Sequence, residues 1–246
     1  VILTDVTSSY SVLSLQGPKS REILSSISGA NFSNKSFPFG TSQEIDLGYA
    51  QIIANRLTYI GELGWELHVP TEFSQHVFDE IWRVGENYEL IPAGYHALEH
   101  LRSERAYREY ELDLTPEDTP YEAGLGFTVD LEKTTNFIGR DALLQQREVG
   151  VLNKRLVMFQ LQDPRPVLFQ EEPIRLNGSL VGYITSGAFG FTLGKSVGMG
   201  YVHHHEGVTK ELLNSGDWEI EIASKSYAAD VSFRPFFDPH GKRLGT

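Results

Sequence analysis

The sequence contains no cysteine. That absence excludes disulfide scaffolds, thiolate metal centres and thiol nucleophiles, and it fits a reducing compartment. Positive charge is also in short supply. Lys and Arg number 21 against 33 Asp and Glu, a formal net charge of -12. Nucleic acid as the main partner needs a basic footprint that such a chain lacks, whereas a small anionic ligand needs only a local cluster of Lys or Arg. No apolar run approaches the roughly 20 residues of a membrane-spanning helix. No G-x-G-x-x-G follows a strand, no G-x-S-x-G elbow occurs, and no H-E-x-x-H is found, which argues against a dinucleotide fold, an α/β-hydrolase triad and a zincin site.

What is present suffices for a folded chain. Hydrophobic residues make up 40% of the 246 positions and charged residues 22%, outside the disordered range and enough for one large domain or two ordinary ones. Tyr10 to Leu15 alternates as a strand and is broken by Gln16-Gly17-Pro18. Ile23, Leu24 and Ile27 then take helical spacing, and Glu44 to Asn55 reads as one long strand or two. Phe73, Val77, Phe78, Ile81, Trp82 and Gly85 keep an i, i+3, i+4 stripe, and Gly94 to Tyr107 reads as a further helix with Ala97, Leu98 and Leu101 inward. Thr115 to Pro120 is a loop, Gly126 to Leu131 is strand-like, and a helix starts near Phe137. After Gly150 the character changes to short strands at 155–161, 172–176, 179–185, 196–202, 218–222 and 227–233. They are separated by turns such as Asn177-Gly178, a pattern of small barrels and sandwiches. The expected organisation is an α+β core over 1–150 and a β-rich domain over 151–246.

Phe189-Gly-Phe-Thr-Leu-Gly-Lys-Ser196 imitates a phosphate loop, but three residues rather than four separate Gly190 from Gly194, and no helix is expected after Ser196. It reads as a turn. His203-His204-His205 lies on an expected strand, where consecutive side chains point to opposite faces and cannot easily meet at one ion, so no metal site is assigned. The stretch RLTYIGELGWELHV, residues 56–69, reads as a hairpin. Arg56 to Tyr59 ends one strand, Gly61 and Gly64 offer positive φ, and Trp65, Leu67 and Val69 face a core. Glu66 and His68 fall on the other face, and an acid there is ordinarily a solvated one. Leu101-Arg102-Ser103-Glu104-Arg105 likewise reads, taken alone, as a charged helix face.

Four ordered segments change that weighting. They are Arg56-Leu-Thr-Tyr-Ile-Gly-Glu-Leu-Gly-Trp-Glu-Leu67, Ala93-Gly-Tyr-His-Ala-Leu-Glu-His-Leu-Arg-Ser-Glu104, Thr119-Pro-Tyr-Glu-Ala-Gly-Leu125 and Lys133 through Asn136-Phe-Ile-Gly-Arg-Asp-Ala-Leu143. Together they resemble the aminomethyltransferase family, which comprises the glycine-cleavage T-protein and the folate-binding half of dimethylglycine and sarcosine dehydrogenases. Gly182 to Ser196 resembles a turn of that family's barrel. The resemblance runs from about Asp5 to the end. It is nearer the dehydrogenase branch, because Leu98 and Glu99 stand where T-proteins carry an Arg-Asp pair, and Ser103 to Tyr107 and Phe236 to Leu244 are similar to dehydrogenase segments. The non-catalytic regulatory subunit of pyruvate dehydrogenase phosphatase belongs to that branch too.

The resemblance implies a ferredoxin-like, T-protein-type α+β core with a small C-terminal β-barrel. It implies tetrahydrofolate as cofactor, with Glu66 on the pterin, Tyr59 lining the same pocket, and Arg102 orienting Glu66 or contacting the folate. Tyr107 and Tyr121-Glu122 are further implied neighbours, and Glu62 is a loop-capping residue. An ionised carboxylate suits a pterin edge, which presents a ring N–H and an amino group side by side. The implied reaction is capture of an amine-derived one-carbon unit on tetrahydrofolate, giving 5,10-methylenetetrahydrofolate. The implied partners are folate and a methylated-amine-derived one-carbon unit, with no nucleic acid and no membrane. A family aspartate near the reacting nitrogen, and an FAD domain in the same chain, are expected upstream of Val1, so no catalytic residue is assigned. The expected compartment is the cytoplasm, or the mitochondrial matrix in a eukaryote.

Overall fold

The computed structural model describes residues 1–245, which form two compact units: Val1–Leu98 together with the residues from His240 onward, and Glu99–Pro239.

The first unit is a four-stranded antiparallel sheet. Its strands are β1 (Tyr10–Gln16), β2 (Ser42–Leu47), β3 (Ala50–Asn55) and β4 (Gly64–Pro70), in the spatial order β1-β4-β3-β2. The two-residue turn Gly48-Tyr49, with Gly48 at φ 60°, splits the apolar stretch from Glu44 to Asn55 into two paired strands. Helices α1 (Ser20–Ile27) and α2 (Ser74–Gly85) cover one face. Leu15, Ile45, Leu47, Ile52, Ala54, Trp65, Leu67 and Val69 meet Ile23, Leu24, Val77 and Ile81 there in one buried cluster. This is the period-2 pattern of the strands closing on the 3.6-residue stripe of each helix. The stripe of α2 is narrower than expected: Phe78 is exposed and stacks on Trp82 outside the cluster, with ring centroids 5.9 Å apart.

Strand β3 ends at Asn55 rather than Tyr59, because Arg56 turns inward. Its guanidinium is buried, donates to the Phe37, Asn34 and Leu244 oxygens and lies 5.5 Å from the Trp65 ring. Residues 56–63 therefore form a long connection, with Gly61 at φ 77°. Gly64 is already in β4, where the Gln16 side chain lies over it and leaves no room for a Cβ.

The second unit holds a closed six-stranded antiparallel barrel. Its strands are β5 (Lys154–Leu161), β6 (Pro173–Leu176), β7 (Ser179–Gly190), β8 (Lys195–His203), β9 (Trp218–Ile222) and β10 (Lys225–Ser232), in the order β10-β5-β8-β7-β6-β9. Val157, Phe159, Leu161, Ile174, Val202 and Ile220 fill its interior. The outward residues of the same strands, Leu156, Met158, Met199 and Tyr201, are buried too, against Ala106 and Phe236. Strands β5 and β8 are thus covered on both faces, which is why Arg155 to Leu161 reads as an almost unbroken apolar run.

Helix α3 (Tyr95–Glu104) precedes this unit's loops and α4 (Arg140–Val149), and the one-turn α5 (Lys210–Leu213) lies between β8 and β9. The expected strand at Gly126 to Leu131 is instead a short 3-10 turn at Gly126–Thr128 followed by irregular chain. Helix α3 also departs from expectation. Ala97 is exposed, and the residues it buries are Arg102, Ser103 and Glu104.

Candidate functional site

Glu66 lies near the start of β4, an interior strand of its sheet. Register places it directly opposite Ser14 of β1 and Asn55 of β3, so all three side chains share the face turned away from α1 and α2. It is half-buried, and among the described residues no hydrogen bond or ion pair engages its carboxylate. Two positions back, the Gln16 amide crosses Gly64 and donates to Ser14 Oγ at 3.0 Å and to the Leu57 carbonyl at 3.3 Å. Its Oε1 is left buried with no partner. Two acceptors without donors therefore stand on one strip of the sheet. Buried acceptors are normally paired, and leaving one unpaired costs about 1–3 kcal/mol, so the Gln16 Oε1 stands out on this strip. Tyr59 is half-buried in the connection leading into β4, which Thr58 folds by accepting the Ile60 and Gly61 N–H groups at 3.2 and 3.0 Å.

Arg102 belongs to the second unit, and its side chain is 2% exposed. Its Nε donates to Glu99 at 2.8 Å. Its Nη1 donates to the Tyr107 carbonyl at 3.1 Å and to Asp113 at 3.0 Å, and its Nη2 to Glu109 at 2.9 Å and Ser186 at 3.1 Å. These five bonds fill the five N–H positions of a guanidinium. Asp113 is fully buried. It accepts from Arg102, Ser186 and the Glu109 N–H through Oδ2, and from the Thr185 hydroxyl through Oδ1. Burial, with Glu99 alongside, raises the Glu109 pKa although Arg102 opposes it. Arg102 is thus the hub of a carboxylate cluster.

The imitation phosphate loop is the tip of the β7–β8 hairpin. The N–H groups of Thr192 and Leu193 donate at 2.8 and 3.1 Å to the buried Glu104 carboxylate, which also takes the Thr192 hydroxyl at 2.9 Å. The loop's donors hold the chain's own anion, and the strand that follows supplies no helix terminus. Sequence reasoning missed Ser14, Asn55 and Gln16 as companions of Glu66. They come from separate strands, and only pairing register brings them together.

A helix-backed antiparallel sheet and a closed six-stranded barrel in one chain form a fold of the aminomethyltransferase type. The chain belongs to the glycine cleavage T-protein family. Residues 1–133 match the GCVT N-terminal domain, and residues 154–238 the glycine cleavage T-protein C-terminal barrel domain. The crystal structure of glycine cleavage system aminomethyltransferase T from Bartonella henselae aligns with a TM-score of 0.76 at 25% identity, covering 93% of this chain and 60% of that one. Human mitochondrial sarcosine dehydrogenase is 39% identical over 244 residues, covering 98% of this chain and 26% of its own length. The formaldehyde-forming 4-methylaminobutanoate oxidase of Paenarthrobacter nicotinovorans is 40% identical over 242 residues, covering 98% and 28%. The mouse mitochondrial pyruvate dehydrogenase phosphatase regulatory subunit is 39% identical over 257 residues, covering 99% and 29%. The chain therefore spans between a quarter and a third of the length of these relatives. Among the described residues no helix is long and apolar enough to cross a membrane.

Proposed function

We propose that this chain is the tetrahydrofolate-binding portion of a dimethylglycine/sarcosine-dehydrogenase-like enzyme, and that Glu66 grips the pterin. The observation that carries the reading is the half-buried Glu66 carboxylate, set between Ser14 and Asn55 with no partner of its own among the described residues. Its two oxygens accept the adjacent pterin donors, and the orphaned Gln16 Oε1 offers a further acceptor on the same strip. Tyr59 packs its ring on the ligand. Arg102, its donors taken by Glu99, Glu109 and Asp113, serves by holding those carboxylates in place.

When bound, tetrahydrofolate supplies the N5 nitrogen that takes up an amine-derived one-carbon unit, giving 5,10-methylenetetrahydrofolate. The residues named here bind and orient, which is the protein's main contribution to such a transfer. In this reading the flavin that oxidises the methylated amine, and the family's aspartate, lie upstream of these residues. The match to the phosphatase regulatory subunit supports a second reading, in which the fold and folate site serve regulation without turnover.

Glu66→Gln in the complete protein should weaken tetrahydrofolate binding by roughly 2 kcal/mol, about 30-fold, because one amide N–H then faces the pterin donors. Thermal stability should hold, since Glu66 has no partner to lose among the described residues. Unchanged affinity by calorimetry would remove the site assignment. Tight binding without one-carbon transfer to any methylated amine would favour the regulatory reading.

A further inference from the structure

The second unit carries another unsatisfied group, unconnected with the reading above. Arg155, near the start of β5, is half-buried, and among the described residues its guanidinium makes no hydrogen bond or ion pair. Its Nε is buried outright with no partner. One face of the guanidinium rests 3.6 Å from the Phe233 ring centroid. Burial lowers its pKa, yet a guanidinium stays charged at any physiological pH. This is an uncompensated cation in a chain whose acids outnumber its bases.

The group lines a cavity of about 300 Å³ with Tyr121, Gln146, Arg147, Leu152 and three glycines. Gln146 Oε1 is buried without a partner, and the Tyr121 hydroxyl is likewise unpaired among the described residues. Arg147, on the last turn of α4, reaches only Glu132, at 3.5 Å and on the surface. A charge half out of water, stacked on an aromatic ring with its edge left free, is costly unless an anion completes it.

We propose that this cavity is a binding site for a small carboxylate. The guanidinium edge accepts a planar carboxylate through two parallel N–H bonds, while the Tyr121 hydroxyl and the Gln146 amide add donors at its rim. Arg155 offers one charge without an acid beside it among the described residues. The second cation of the cavity, Arg147, is exposed and drawn to Glu132, so the second charge of a phosphate dianion would find no buried counterpart. Closure with solvent instead would need a water bridging Arg155 Nε and Gln146 Oε1.

The test is calorimetric titration of the whole chain with benzoate and, separately, with inorganic phosphate. Saturable benzoate binding is expected, weakened at least tenfold in Arg155→Met, and weakened in Arg155→Lys, which keeps the charge and loses the planar fork. Tyr121→Phe should show a smaller loss. Without ligand, Arg155→Met should melt at or above the wild-type temperature, because it removes an unpaired buried charge. Three outcomes overturn the proposal: no saturable benzoate binding, equal binding by the Arg155 variants, or tighter binding of phosphate than of benzoate. Failure here leaves the assignment of Glu66 untouched: Tyr121, which the resemblance puts near the folate, lines this cavity too, but neither Glu66 nor Arg155 enters the other's test.

Discussion

Single side chains in this protein take their roles from what surrounds them. Glu66 and Glu104 are both acids that read as solvated ones, yet among the described residues one has no partner and the other closes a hairpin. Arg102 looks like an ordinary helix charge in sequence and is instead the most heavily bonded cation of its cluster. Arg102 faces Glu99, Glu109 and the buried Asp113, and Asp113 also feels Arg108, whereas Glu109 has Glu99 and Asp113 against it and Arg102 for it. Glu109 therefore binds its proton more readily in the folded chain than in the unfolded one. A raised folded-state pKa gives stability that is present below the unfolded value, near 4.5, and is lost as pH rises through the folded value. Glu109→Gln, which mimics the protonated form, should raise the melting temperature at pH 7, with the gain vanishing below about pH 4.5. Scanning calorimetry of the two proteins across that range checks it. A variant that melts lower at pH 7 would mean that the charged bond to Arg102 outweighs the repulsion from Glu99.

Among the elements, the barrel strands are the most tightly constrained. Gly182 of β7 sits against the Tyr201 carbonyl of β8, and an added Cβ would collide with backbone, which has no rotamer to give way. Gly182→Ala should cost about 3 kcal/mol or more by urea denaturation. Gly29→Ala, in open space at an ordinary φ, should stay within about 0.5 kcal/mol. Elements of this kind were legible beforehand: all six barrel strands and both sheet-backing helices lie where alternation and helical spacing put them. The exceptions have physical causes. Residues 126–131 have strand composition but no neighbouring strand to pair with, and they settle as a turn. Helix α3 lies where the sequence places it, but its inward face differs: it buries charge, Arg102 in ion pairs and Glu104 under the Thr192 and Leu193 N–H groups. Periodicity counts hydrophobic residues and is blind to a buried arginine whose partners sit mostly in the irregular chain just after its helix.

At the scale of the whole molecule, the chain divides into two units, each with its own apolar cluster, and its last residues return to the first. The Leu244 carbonyl accepts from the buried Arg56 at 3.0 Å, and Arg243 pairs with Glu62 at 2.8 Å. Deleting the residues from His240 onward should therefore destabilise the first unit by about 1–3 kcal/mol, since Arg56 loses an acceptor in a place water barely reaches. The loss should appear in exchange of the β3 and β4 amides and spare the barrel strands. Equal loss of protection in both units would contradict that confinement.

The sequence by itself determined the α+β core, the closing barrel and the family. Apolar periodicity and short ordered motifs are properties of neighbouring residues and survive without coordinates. It also put Glu66 on the open face of its strand, because pleating alternates side chains whatever the fold. Only the tertiary structure decided that Ser14, Asn55 and Gln16 would flank that carboxylate, that Arg102 would be bonded to three acids, and that Arg155 would meet no acid among the described residues. The strip around Glu66 depends on register between strands tens of residues apart, and the Arg102 cluster on how an irregular loop folds back its acids at 109 and 113, which no periodic pattern of the chain records.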